Sequence, residues 1–196
     1  MKKVLFFVAV MLLSVSTASI AQAKFGLKAG VNIANATGDD VEDADSRLAP
    51  FFGAFVNLGL GEKLAFQPEL LYSMKGIKNT SSIMGVDFDQ TTKLNYLDIP
   101  LMLKYNIAGG LNLQAGPQVS LLLSAENEYE GGGESETEDI KEYLKGSDFG
   151  FNVGAGYDFG PLGVDVRYNI GLSNISDEED GDIKNSVIQV GLSYSF

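Results

Sequence analysis

Eight ionisable side chains fall on the polar parity of segments that alternate apolar and polar residues: Lys28, Glu69, Lys75, Asp98, Lys104, Asp158, Asp165 and Arg167. Four are acids and four are bases. Facing one another inside a closed β structure, they would allow two chemistries. One is a path for protons or ions. The other is a self-neutralising network of salt bridges and hydrogen bonds that fills the interior. The network is the simpler reading, because a charge buried without a partner is costly and mutual pairing removes that cost without adding much net stability.

Enzymatic chemistry finds little support. The chain has no histidine and no cysteine, so it can build neither a Ser-His-Asp triad, nor a Ser-His lipid hydrolase site, nor a Cys/His transition-metal site. Carboxylate pairs do occur, Glu136 with Glu138 and Asp98 with Glu69 on neighbouring strands, but they suit solvation or ion pairing better than acid-base work. The expectation is a non-enzymatic protein with no cofactor and no metal centre. Most remaining acid lies in the connecting segments: Asp39, Asp40, Glu42, Asp43 and Asp45, then eight acids between Glu126 and Glu142, then the run from Asp177 to Asp182. In that last run Asp177, Glu179, Asp180 and Asp182 form a candidate weak cation-binding loop. Their spacing is not that of an EF-hand, so the expected response to calcium is small and nonspecific. With a formal charge of −12, the chain lacks the basic face that nucleic acid requires.

The elements that would position these residues are strands. Period-2 alternation recurs in eight segments, near 24–34, 50–60, 63–75, 92–106, 110–125, 148–159, 162–173 and 185–196. In the seventh, Val164, Val166, Tyr168, Ile170 and Leu172 oppose Asp165, Arg167, Asn169 and Gly171. In the sixth, Gly150, Gly154 and Gly156 lie on the polar side, where they would relieve crowding. The last nine residues alternate without a break, and Phe196 closes the apolar set. Connectors alternate in length: 61–62, 108–110 and 160–161 are tight, whereas 35–49, 76–91, 126–147 and 174–184 are long and polar. The expected fold is therefore all-β, an eight-stranded antiparallel up-and-down transmembrane β-barrel with both termini in the periplasm. Aromatics on the outward parity gather near strand ends, as two interfacial girdles would. Phe196 is the expected assembly signal for the barrel-assembly machinery, and the surrounding partner is outer-membrane lipid.

At the other end, Met1, Lys2 and Lys3 precede a short apolar run, and Ala21-Gln22-Ala23 is a small-x-small cleavage site. Residues 1–23 are the expected signal peptide and 24–196 the barrel domain. Removing the leader takes away two lysines and no acid, moving the formal charge from −12 to −14. A third reading, behind two membrane ones, is a soluble lipocalin-like ligand-binding barrel, which would turn Val166, Tyr168 and Ile170 inward and leave Asp165 and Arg167 in water. Two local expectations complete the picture. Pro68, Pro100 and Pro117 lie inside strands and should each bring a bulge or a lost ladder bond. Ser135-x-x-Glu138, followed by Ile140, Tyr143, Leu144 and a stop at Gly146, reads as a short helix packed on the barrel rim.

Four segments carry a family resemblance: FQPELLYSMKG (66–76), YLDIPLMLKY (96–105), LQAGPQVSLLLSA (113–125) and DFGFNVGAGYDF (148–159). They resemble the PorT-like outer-membrane β-barrel domain common in Bacteroidota, over essentially the whole chain beyond the leader. The resemblance implies a barrel of OmpA or OmpX size in the bacterial outer membrane. The leading expectation for function is a structural or surface-interaction barrel. The alternative is an accessory subunit of a secretion or transport machine, which the name-giving relative suggests.

Overall fold

A strand whose apolar and polar residues alternate must separate two environments, and the computed structural model shows which is which. It describes residues 23–38, 45–83, 86–131, 134–177 and 182–196. The leader up to residue 22, Asp39, Asp40, Glu42 and Asp43 of the first loop, and Glu178, Glu179 and Asp180 lie outside that set.

The strands are β1 (Ala23–Thr37), β2 (Asp45–Gly59), β3 (Leu64–Ile83), β4 (Val86–Ala108), β5 (Leu111–Gly131), β6 (Glu134–Asp139), β7 (Ser147–Phe159), β8 (Leu162–Gly171) and β9 (Lys184–Ser195). Every pairing is antiparallel. Eight strands form a closed ring in the order β1-β2-β3-β4-β5-β7-β8-β9, with β9 returning to β1. β6 stands outside the ring and, among the described residues, pairs only with Glu126–Gly131 of β5. At one end of the ring the chain turns tightly, at Gly109-Gly110 and Gly160-Pro161, where Gly109, Gly110 and Gly160 take positive φ values of 60°, 97° and 70°. The long connections all lie at the other end.

The faces are sorted as in a membrane barrel. On β8, Val166, Tyr168 and Ile170 are 52%, 42% and 39% exposed, whereas Asp165 and Arg167 retain only 7% and 1%. This arrangement excludes the lipocalin alternative, whose apolar parity would be the buried one. Exposed leucines, valines and isoleucines continue the apolar belt on β1, β5 and β9. Ring pairs Phe52–Tyr72, Tyr157–Phe159 and Tyr194–Phe196 lie at its margins, with centroids 5.5, 4.5 and 5.3 Å apart.

Three sequence expectations have definite outcomes. First, each proline costs ladder pairs, as expected, and does so without a bulge: the register is the same on both sides while β2–β3 skips from Phe55↔Glu69 to Leu58↔Phe66, β3–β4 from Pro68↔Leu101 to Leu71↔Asp98 and β4–β5 from Pro100↔Gln118 to Leu103↔Ala115. These prolines sit on three adjacent strands and interrupt the ladders side by side, so the missing donors are absorbed locally without a shift. The register shifts in β4–β5 fall instead at Asn95/Tyr96 and Asn106/Ala108. Second, the stretch 76–91 is largely a hairpin, with β3 and β4 paired out to Ile83↔Val86. Third, residues 134–139 form strand β6, and only Lys141–Tyr143 make a 3-10 turn, with no side-chain cap at Ile140. A capping box is a local preference, and here the unpaired main chain of β5 offers six residues a ladder instead.

Val166 lies midway along β8 on the outer face, so Val166→Arg should destabilise the barrel in lipid vesicles by about 2–4 kcal/mol. Urea titration of unfolding checks this, and a change below about 1 kcal/mol would place that face in water.

Candidate functional site

Narrow barrels have room for long inward side chains only where their neighbours are small. Gly154 faces Arg167, and a Cβ there would come within 2.8 Å of Arg167 Cγ; at Gly191 it would meet Lys28 Cε at 2.6 Å. Gly26 similarly makes way for the ring of Phe55. The sequence thus sets Arg167 and Lys28, two of the longest inward side chains, each against a glycine on an adjacent strand.

At the centre, Lys28 of β1, Glu69 of β3, and Asp165 and Arg167 of β8 form a quartet of two acids and two bases. Arg167 holds Glu69 through two parallel bonds, Nη1 to Oε2 at 2.8 Å and Nη2 to Oε1 at 2.7 Å. Its Nε also lies 3.1 Å from Asp165 Oδ1. Lys28 Nζ donates to Asp165 Oδ1 at 2.6 Å and lies 3.9 Å from Glu69. Gln114 accepts from Arg167, and Gln67 donates to Glu69 at 2.7 Å. All four ionised groups are buried, and the forked guanidinium fixes their geometry.

Two further layers flank the quartet. Toward the turns, Lys104 pairs with Asp158 at 2.8 Å, and Asn112 links Asp158 to Gln114. Toward the loops, Lys75 pairs with Asp98 at 3.0 Å and lies 4.7 Å over the ring of Tyr96. Amides complete this layer, Asn169 donating to Asn152 and Asn152 to Gln118. The structure therefore brings all eight charges onto the inner face, as one quartet and two pairs.

Asp148 was missed by sequence reasoning. It is 2% exposed and accepts from Ser173 Oγ at 2.7 Å and Asn185 Nδ2 at 2.8 Å. The signal was available, since Asp148 shares the parity of Gly150 and Asn152. Of the proposed cation loop, Asp177 and Asp182 are described: the Asp177 backbone N–H donates to Tyr143 O, and the Asp182 carboxylate pairs with Lys184 at 2.8 Å. Among the described residues no group of three or more potential ligands could hold a metal ion.

The two ends of the interior differ. A polar cavity of about 160 Å³ opens at the turn end, among Lys24, Asn57, Lys104, Gln114 and Asp158, with Lys28 and Asp165 deeper in. At the loop end Leu94, Tyr96, Leu122, Ala125 and Ile175 form an apolar cluster, joined by Ile140, Leu144 and Ile183. Tyr143, grouped with Ile140 and Leu144 in the sequence, is half exposed.

A closed eight-stranded ring, apolar outside and ionic within, matches what comparison with known proteins returns. The profile of the outer membrane protein beta-barrel domain family matches residues 17–177. The chain belongs to this family. It is thus a bacterial outer-membrane barrel, and its apolar belt sits in lipid. Similar solved structures include the attachment invasion locus protein Ail of Yersinia pestis in complex with the heparin analogue sucrose octasulfate, at 11% identity, covering 89% of this chain and 99% of that one, with a TM-score of 0.54. Neisserial surface protein A is similar at 14% identity, 89% and 99% coverage and a TM-score of 0.51. At such identities the likeness is one of fold. No curated protein matches the chain in sequence.

Arg167→Met would leave Glu69 and Asp165 sharing Lys28 alone in a buried layer, and should cost roughly 3–5 kcal/mol. Adding Glu69→Leu to that variant should recover a large part of the loss, because the stranded acid is then gone. Unfolding titrations of the two single variants and the double variant measure the coupling, and simple additivity would show that the quartet does not act as a unit.

Proposed function

We propose that the protein is a non-enzymatic barrel of the bacterial outer membrane whose work is structural and interactive at the cell surface. Residues 1–23 serve as its export leader and residues 24–196 as the single barrel domain, with both termini and the tight turns in the periplasm. The eight inward charges act as a structural filling, and Phe196 as the signal read by the barrel-assembly machinery.

The observation that carries this reading is the height of one side of the barrel. A membrane strand needs about 9–11 residues to cross, whereas β3, β4 and β5 have 20, 23 and 21. About half of each strand therefore stands above the lipid as a paired sheet, with β6 added to it. An investment of ordered backbone outside the membrane suits recognition better than transport. Its charge also sets the kind of partner. Glu126, Glu128, Glu130, Glu136, Glu138 and Asp139 concentrate there, so a basic partner is favoured. The heparin analogue bound by Ail is a polyanion, and that ligand class does not fit this rim. The PorT-like resemblance keeps an accessory role in a secretion or transport machine as the second reading, in which the same sheet would dock a machine component.

Planar bilayer recordings should show little or no stable conductance, since the quartet and the apolar cluster occupy the bore; a large steady pore would refute the filled lumen. On intact cells, protease should reach 76–91 while the barrel fragment stays with the outer membrane. Replacing Glu126, Glu128 and Glu130 of β5 with Gln should reduce retention of basic extracellular proteins without changing the heat-dependent gel migration of the barrel. Equal retention after these substitutions would sink the surface reading. Deleting Phe196 should lower the yield of assembled barrel. Calcium should raise thermal stability only slightly, and monovalent salt should reproduce most of the rise by screening the acidic loops; saturable micromolar binding in calorimetry would make Asp177, Glu179, Asp180 and Asp182 a true site.

A further inference from the structure

One strand above the membrane has a free side. β6 pairs with β5 from Glu126↔Asp139 to Gly131↔Glu134, and among the described residues no strand pairs with its opposite side. Ser135, Glu136, Thr137, Glu138 and Asp139 are all exposed. A sheet edge of this kind offers main-chain N–H and C=O groups at strand spacing, which is a template for adding another strand.

The side chains decide what can be added. Glu136 and Glu138 point to one face of the sheet. Asp139 lies on the other, directly opposite Glu126, and Glu128 and Glu130 continue that face on β5. Lys93 of β4 forms an ion pair with Glu128, so the sheet already meets this face with a cation of its own. A second copy of the chain would bring Glu against Glu or Asp across the new ladder, and like charges directly opposite oppose pairing. An apolar strand would leave the carboxylates uncompensated.

We propose that the outer edge of β6 takes up an extended basic peptide segment as an added strand, with Lys or Arg at alternate positions facing Glu136 and Glu138 and small polar residues between them. The proposal rests on the surface-interaction reading and adds to it a place and a partner chemistry.

The test uses the intact barrel in lipid nanodiscs and a ten-residue peptide of alternating Lys and Thr. Adding the peptide should slow hydrogen–deuterium exchange at the backbone amides of Ser135–Asp139. The same peptide N-methylated at alternate residues keeps its charge but cannot form a ladder, and should bind at least about tenfold more weakly. Glu136→Gln with Glu138→Gln should weaken the unmodified peptide by roughly tenfold, while unchanged heat-dependent migration shows that the barrel is intact. Equal binding of the N-methylated peptide, protection that appears only outside β6, or no saturable binding at low salt would each overturn the proposal. The β5 substitutions judge the surface reading independently, because they read retention of any basic protein and leave Glu136, Glu138 and the β6 edge in place.

Discussion

Closure of the backbone ladder is the constraint on which the rest of this structure depends. In hydrocarbon no water can replace a missing partner, so an open sheet edge would leave a row of unsatisfied N–H and C=O groups. Here β1 closes on β9 from Gly26↔Ser195 to Thr37↔Lys184, and Phe196 N donates to Phe25 O at 2.8 Å. Once eight strands close, the bore is narrow and side chains must fill it. With one parity given over to lipid, the inner face carries most of the polar residues, interleaved with Phe51, Phe55, Leu71 and Met102. Being buried, those polar groups must be mutually satisfied. Among the described residues no buried side-chain nitrogen or oxygen lacks a hydrogen-bond partner.

Because parity is the consequence of closure, parity was what the sequence revealed best. The two faces of β8 could be read directly from Val164 to Gly171, and the inward glycines from β7. Which charge meets which could not be read. Lys28 meets Asp165 across 137 residues of chain and Arg167 meets Glu69 across 98, so the partners depend on ring closure and strand stagger rather than on spacing. Even the neighbours Asp165 and Arg167 divide their contacts between β1 and β3.

Legibility ended where the lipid ended. Above the belt, residues 89–93 of β4 and 126–131 of β5 keep exposure on both faces, and the alternation that marks a strand in the membrane has no cause to persist. The sequence 76–91 therefore reads as a polar loop, while Lys78 with Asp89 and Thr92 with Asn127 in fact knit a ladder together. The same blindness turned Ser135–Glu138 into a helix cap. Local preference decided that reading, and a neighbouring strand with an open edge overrode it. The prolines, by contrast, were legible: each forbids a ladder bond, and pairs are missing at Pro68 in β2–β3, at Pro100 in β3–β4 and at Pro117 in β4–β5, while the register survives.

The unequal ends of the bore connect this interior to the surface. At the turn end Lys104 and Asp158 are partly exposed, with side chains 11% and 37% accessible, so their attraction is weakened by water. At the loop end the Leu94–Ile175 cluster shields the Lys75–Asp98 pair, both of whose side chains are 2% accessible. Two separate connections close over the β4 and β5 members of that cluster, bringing Ile140 and Leu144 from one and Ile175 and Ile183 from the other. Leu144 bridges Ser176, Lys145 N donates to Ile175 O at 2.8 Å, and Asp177 N donates to Tyr143 O at 3.0 Å. β6 leads directly into this clasp through Ile140, whose N–H is held by Ala125 O at 3.0 Å. The free edge is thereby anchored to the buried cluster at its lower end. A strand fixed in that way has already lost most of its conformational freedom before a partner arrives, which lowers the ordering cost of association. The apolar cluster over the polar interior thus does two things at once: it shields the buried Lys75–Asp98 pair, and it ties the lower end of β6 to the buried core.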